Sequence, residues 1–386
     1  MDFSTGSIAF ENGPTWNERR RWLFGVINQF CLGKKDLGNR VNLENRINIE
    51  ADYLCQEMDK PDTSFNPRHY INNAVSNIVC TACFGDRFEY TDPQFKELIK
   101  GTRYLFQHTG VSSPGNIVPI LYYTPLYKEF RGVVTSMKDF INDIIRKHAE
   151  TFDSGDIRDI IDAYILESQK HGKDDNSFSQ DTLWRAIFDL FNAGTDTTSS
   201  TILWIITYLL NYPQIQKKVQ HEVDEVLGQE KAPKYSDRLS MPFLEATIME
   251  VQRLSNVIPL FNRATTENVN VHGYNIPAET PVLVNFWNIH LHPDNWERPL
   301  NFEPERFLSD DLMTIKKHEA FMPFGIGRRS CIGYLMAKME IFIFTATLIQ
   351  RFTFKVPDGE PTPSVKDYVP GLSLVPKPFK IFAIKR

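Results

Sequence analysis

The sequence predicts a mainly α-helical fold with small β-sheets, built as one domain over residues 1–386. Two patterns carry this reading. Through the first 260 residues apolar side chains recur at three- and four-residue spacing, most clearly over Ile71–Phe84, Met137–His148 and Thr182–Leu210, the period of a helix with one buried face. From Thr265 to Val284 the pattern changes to short alternating stretches broken by Gly273 and Pro277, as in small strands joined by turns.

Polar breaks at Ser154-Gly155, His171–Asn176 and Lys231–Asp237 separate the helical stretches. Irregular, proline-rich sequence runs from His292 to Phe324. One more apolar helix, Tyr334–Gln350, then leads into a tail of strands and turns over Phe352–Arg386. No internal repeat or low-complexity linker divides the chain.

Hydrophobic residues make up 42% and charged residues 24%, ordinary for a soluble globular protein with a large core. With 48 acidic and 43 basic residues the net charge is -5, which argues against a nucleic-acid partner, since phosphate binding needs a basic surplus. Cys31, Cys55, Cys80, Cys83 and Cys331 are odd in number and scattered, which fits a reducing compartment and no disulfide framework. Met1–Thr5 lacks the basic-then-apolar pattern of a signal peptide. The 20 charge-free residues Thr197–Gln216 are interrupted by Thr, Ser, Asn and Pro, so the expectation is a chain with no membrane anchor of its own.

The most informative segment is Phe324-Gly325-Ile326-Gly327-Arg328-Arg329-Ser330-Cys331-Ile332-Gly333, a glycine-rich loop running into a helix. A cysteine there meets a helix N-terminus, whose free N–H groups favour the metal-binding thiolate. Gly327 and Gly333 let a flat group approach the backbone. Arg329 can meet a carboxylate, and Phe324 can shield the sulfur from water. A lone cysteine is usually a small buried hydrophobe, but that explains neither the glycines nor the arginine. No ligand set at zinc-finger spacing surrounds Cys331.

A second unusual segment is Ala193-Gly194-Thr195-Asp196-Thr197-Thr198, in the middle of a helix expected over Gln180–Asn211. Gly, Asp and hydroxyl residues are poor choices for a buried helix interior, and such local conflict often marks a site. The Thr197 hydroxyl can bond back to the Ala193 carbonyl and open a groove. A hydroxyl stripe packed against another helix explains the same pattern equally well.

The cysteine loop matches, position for position, the pattern Phe-x-x-Gly-x-Arg-x-Cys-x-Gly, and here the chain resembles the cytochrome P-450 family, most closely its microsomal group. The resemblance covers nearly the whole chain. It implies the P-450 fold lacking its N-terminal part, and haem b with Cys331 as the metal ligand. Trp16, Arg20, Arg263, Phe324, Gly327, Arg329 and Gly333 would contact the cofactor. Arg263 follows Asn262, which stands where the family often has a histidine, in a loop shorter than usual. The resemblance gives Thr197 and Asp196 the catalytic roles, a hydroxyl serving oxygen activation and an acid relaying protons to it. It implies a substrate pocket lined by Ala193, Val257, Ile258 and Leu372, and a structural network of Glu250, Arg253 and Arg306. Taken alone, Glu250 and Arg253 are an ordinary i,i+3 pair worth roughly 0.2–0.5 kcal/mol, and Trp16 with Arg20 an ordinary helix-surface pair.

The implied activity is insertion of one oxygen atom from O2 into a lipophilic substrate, with electrons passed from NADPH by a flavoprotein reductase. The implied location is the cytoplasmic face of the endoplasmic reticulum membrane. Ile117–Tyr123 resembles the family's membrane-dipping region, although a buried loop fits its composition equally. Arg19, Arg21 and Lys338 are candidates for a basic reductase-facing surface. Cys80 and Cys83 read as core, and His290 and His292 as structural. The alternatives are a haem-thiolate isomerase or peroxide-using relative, and a non-catalytic haem-binding fragment. The first residues fall just before the Trp16 helix, so the family's early strands are expected to be missing and sheet edges left unpaired.

Overall fold

In a computed structural model, residues 6–32, 42–60, 63–110, 113–171 and 176–386 are described; most of the break expected over His171–Asn176 lies outside them. Long helices dominate: Pro14–Leu32, Leu43–Asp59, Arg68–Phe84, Pro93–His108, Lys128–Glu150, Gln180–Asn211, Pro213–Leu227, Pro242–Ser255 and Tyr334–Arg351. The strands are short antiparallel pairs. Leu260–Ala264 pairs with Pro281–Asn285, Val269–Val271 with Tyr274–Ile276, and Phe352–Lys355 with Phe382–Lys385. Among the described residues every sheet has two strands. This is the mainly α arrangement that the periodicities predict, and no helix of the described residues is long and apolar enough to cross a membrane.

The organising element is the helix Gln180–Asn211, 32 residues long and so roughly 48 Å from end to end. Ser179 caps its start by accepting from the Thr182 N–H. Its second half, Ile202 to Leu210, is buried on all sides among the helices Arg68–Phe84, Pro242–Ser255 and Tyr334–Arg351. Gly194 has a packing reason as well, since a Cβ there would come within 2.8 Å of Val79. Helix Arg68–Phe84 thus lies close against the central helix. Cys80 and Cys83 are buried in this same packing, which is the core reading.

A charged network fixes the proline-rich segment to the helix Pro242–Ser255. Arg253 donates to both Glu250 carboxylate oxygens at 2.8 Å, and Arg306 Nε adds a bond of 3.0 Å to Oε1. Arg253 also donates to the carbonyls of His290 and Pro299, each at 2.8 Å. His290 carries the connection onward. Its Nδ1 faces Asn256 Oδ1 at 3.2 Å, and its Nε2 accepts the Met322 N–H at 3.1 Å, two residues before the cysteine loop. Accepting at Nε2 requires a neutral ring, and burial together with the nearby Arg253 pushes its pKa down to about 4.

Two outcomes follow. Replacing Glu250 by Gln leaves the fully buried Arg253 without its carboxylate, while Arg306 keeps Glu303 at 3.4 Å. Urea unfolding should register a loss on the order of 3–5 kcal/mol; a loss under about 1 kcal/mol would mean that the carbonyls alone hold the arginines. For His290 the folded state keeps the ring neutral, so its stabilisation is present above the ordinary value of 6.5 and drains away as pH falls toward about 4. That drain should amount to roughly 3 kcal/mol and should be flattened in His290→Gln, measured as unfolding free energy across this window.

Candidate haem-thiolate site

The cysteine loop is a closed turn. The Cys331 N–H donates to the Phe324 carbonyl at 2.8 Å and the Gly325 N–H to that of Met322 at 3.0 Å. Gly325 and Gly327 take φ values of +67° and +71°, a region that glycine enters without strain. A Cβ at Gly327 or Gly333 would meet no atom within 4 Å, so open space lies in front of the loop. Cys331 itself is solvent-accessible although protein surrounds it on most sides. Burial raises its pKa, against the pull of a hydrogen bond from Gly333 and of the Arg20 charge. The helix terminus therefore acts in the expected direction, but desolvation outweighs it. A further positive charge beside the sulfur is needed to hold the thiolate.

Three arginines converge next to this loop. Arg20 donates to the Ser330 carbonyl, and Arg263 to the Arg329 carbonyl at 3.3 Å. Arg329 donates to the Glu11 carbonyl at 2.6 Å and lies over the Trp16 ring, 3.4 Å from its centroid. Among the described residues none of the three meets a carboxylate within 4.0 Å. Burial lowers all three pKa values, Arg329 to about 10; Arg20 further lowers Arg263, and both lower Arg329, while the Cys331 thiolate pulls Arg20 back up. Trp16 is buried, and its indole N–H donates to the Ile8 carbonyl at 3.0 Å, so what it offers the cluster is its ring face.

On the central helix Ala193 is exposed and Thr197 partly so, in a stretch whose neighbours are buried. The Thr197 hydroxyl donates to the Ala193 carbonyl at 2.8 Å, the back-bond that the groove reading requires. Asp196 points elsewhere. Its Oδ2 accepts from the Ser373 hydroxyl, and burial raises its pKa to about 6 against the pull of Ser373, Arg68 and Arg103. No direct hydrogen bond joins Asp196 to Thr197 in this arrangement. Val257 and Ile258 are half-buried, and the Val257 carbonyl accepts the Leu374 N–H at 2.8 Å. The segment holding Leu372 is thereby tied to theirs.

Sequence reasoning missed Asp189, one turn before Ala193. A single carboxylate oxygen accepts from the Ser7 hydroxyl at 2.7 Å and from the Ile8 and Ala9 N–H groups at 2.8 and 3.2 Å. It thus joins the central helix to the segment that reaches Trp16. Nothing in the local pattern signals it, because the partners are 182 to 180 residues apart. Two expectations are corrected or narrowed. Arg19 is 1% exposed and is held by Glu11 and the Ser177 carbonyl, so it cannot belong to a basic surface. Ile117, Ile120 and Leu126 are 71%, 70% and 74% exposed, which removes the buried-loop reading of that segment. Another group of metal-ligand type, His148, Asp159 and Asp162, is bonded within itself and to Arg158.

The donor set fits a haem. A single accessible cysteine suits an iron axial position, the glycines leave room for a flat ring, and three guanidiniums that meet no carboxylate among the described residues suit two carboxylates.

Comparison with known proteins agrees. The family model described as Cytochrome P450 matches residues 1–383. The chain is 41% identical to Cytochrome P450 2U1 of Mus musculus, covering 100% of this chain and 73% of the relative. It is 39% identical to Cytochrome P450 2U1 of Homo sapiens over 99% of this chain and 70% of the relative. For Cytochrome P450 2J5 of Mus musculus the identity is 39%, over 98% of this chain and 75% of that one.

The Asp189 clamp has its own test. Asp189→Ala should free the Ile8 and Ala9 amides, and their hydrogen-exchange protection should fall by about 1–3 kcal/mol. Unchanged protection would mean that other contacts hold the segment.

Proposed function

The chain belongs to the cytochrome P450 family, which makes it a haem monooxygenase in kind, and on that premise we propose how its own residues serve the reaction. Electrons come from an NADPH-dependent flavoprotein reductase, and the substrate is a lipophilic organic molecule. The bound haem supplies the activation of O2 and the transfer of one oxygen atom. The observation that carries the reading is the accessible Cys331 thiol beside three arginines that meet no carboxylate among the described residues.

In this reading Cys331 binds the iron, and Phe324 keeps water from the sulfur. Gly327 and Gly333 give the ring its clearance. Arg20, Arg263 and Arg329 hold the two propionates, with Trp16 as the platform beneath Arg329. Glu250, Arg253 and Arg306 hold the loop in place through His290, a structural role. Ala193, Val257, Ile258 and Leu372 line the apolar pocket, whose surface selects hydrophobic molecules. Thr197 offers a hydroxyl that holds a proton at its Oγ1 and can release its back-bond to do so. Asp196 stores a proton one residue away, and with its pKa near 6 it exchanges that proton readily near neutrality. The relay between them then runs through an intervening group such as water.

The whole chain acts as one catalytic domain, an idea supported by the continuous apolar core that joins its helices. The exposed Ile117, Ile120 and Leu126 suit contact with a membrane surface, in keeping with the cytoplasmic face of the endoplasmic reticulum. Arg21 and Lys338 remain as candidates for the reductase-facing surface.

The test is turnover of the haem-loaded chain with reductase, NADPH and isotopically labelled O2 on a panel of apolar substrates. One labelled atom should enter each product molecule. NADPH consumption without label in any product would contradict the reading. Thr197→Ala should lower product formed per NADPH by about 10-fold or more while hydrogen peroxide rises in step; unchanged coupling would remove Thr197 from this role.

A further inference from the structure

The segment from Gly6 to Gly13 forms a strap between the central helix and the arginine cluster. At one end Asp189 of the central helix accepts from the Ser7 hydroxyl and from the Ile8 and Ala9 N–H groups at 2.7 to 3.2 Å. In the middle the Glu11 carboxylate closes the strap on itself. Its Oε2 accepts the Gly6 N–H at 3.1 Å and also meets the buried Arg19. At the other end the strap meets Arg329, whose Nη2 donates to the Glu11 carbonyl at 2.6 Å and to the Asn12 side-chain oxygen. Gly13, with a φ of +96°, then turns the chain into the helix Pro14–Leu32.

One segment therefore grips Arg329 twice. The guanidinium lies over Trp16, and the Trp16 indole N–H is bonded to the Ile8 carbonyl at 3.0 Å, so the strap fixes the platform as well as the acceptors. Both strap bonds use Nη2, and among the described residues Nε and Nη1 have no hydrogen-bond partner. The strap's acceptors here are neutral oxygens. The charges of Arg263 and Arg20 press on Arg329, and a carbonyl and an amide cannot cancel them. An anion on Nε and Nη1 can, and it then keeps Arg329, with the end of the strap, in this position. Such coupling is reciprocal: what the anion adds to the strap, the strap adds to the anion.

We propose that this strap is a haem-retention device, in which Asn12 and Asp189 are positioning residues that act through Arg329. The inference rests on the reading of Cys331 and the arginine cluster as a haem site. Carboxylates on the cluster hold the strap closed, and the closed strap keeps Arg329 aimed at them. Asp189 anchors one end and Asn12 the other, so freeing either end loosens the same arginine. Ala9, Phe10, Asn12 and Gly13 are exposed, Phe10 by 65%, so this stretch can lift without opening the core.

The experiment pairs hydrogen exchange of the strap amides, with and without haem, with the rate at which haem passes from the loaded chain to excess apomyoglobin. Haem loading should raise the protection of the Ile8, Ala9 and Glu11 amides at least about tenfold. Asp189→Ala should speed haem transfer at least about tenfold, and Asn12→Ala about threefold. Asn12 is exposed, so its variants should fold even where loss of Asp189 disturbs the chain. Asn12→Asp gives Arg329 a carboxylate of its own, and strap protection should then become largely independent of haem. Haem-induced protection of the strap no larger than that of the helix Lys128–Glu150 would overturn the proposal. So would wild-type transfer rates in Asn12→Ala, or faster transfer with strap exchange unchanged, which would place the effect outside the strap. A wild type without the thiolate-type carbon monoxide spectrum would instead strike the haem-site reading, so the two failures are separable.

Discussion

The fold around the site depends on one buried carboxylate. Glu250 accepts from Arg253 and Arg306 at 2.8 to 3.0 Å, and through them it fastens a proline-rich segment that has almost no regular structure of its own. Such an ion cluster adds little net stability compared with a well-packed apolar one. What it adds is position. Arg253 donates to carbonyls at His290 and Pro299, so a chain that could drape many ways takes one. His290 then passes that position to Met322 and so to the cysteine loop.

The charges elsewhere follow the opposite rule. Glu250 is matched by more positive charge than it can neutralise alone. Beside Cys331, Arg20, Arg263 and Arg329 meet no carboxylate among the described residues, and burial lowers the pKa of each. Arg68, beside the central helix, is likewise lowered to about 10, mainly by burial. Unpaired guanidiniums in partly buried positions cost stability, and a protein that leaves several of them open has kept them for anions. In the proposed reading a haem brings two carboxylates to the first group.

Features carried by short spacings were legible from the residues. The loop from Phe324 to Gly333, the pair Glu250 and Arg253, and the helix Gln180–Asn211 with its Thr197 back-bond are all written within a few turns of chain. The small strands were legible for the same reason, since alternation and turn residues are local. What stayed hidden depends on partners far along the chain. Asp189 reads as one more helix-surface acid until Ser7 and Ile8 arrive from 182 and 181 residues away. Asp196 reads as the neighbour of Thr197 until Ser373 turns it aside. Arg19 reads as a surface charge until Ser177 and Glu11 bury it. The segment from Ile117 to Tyr123 has a composition that suits either a core or an outer surface, and only its placement decides.

The central claim is that Cys331 binds haem iron as a thiolate. The direct measurement is the spectrum of the haem-loaded, reduced chain under carbon monoxide, taken with the wild type and with Cys331→His. The wild type should give the strongly red-shifted Soret band of a thiolate-ligated complex, and the variant the less shifted band of a histidine-ligated one. A wild-type band that already resembles the variant's, or no haem uptake by the wild type, would contradict the account.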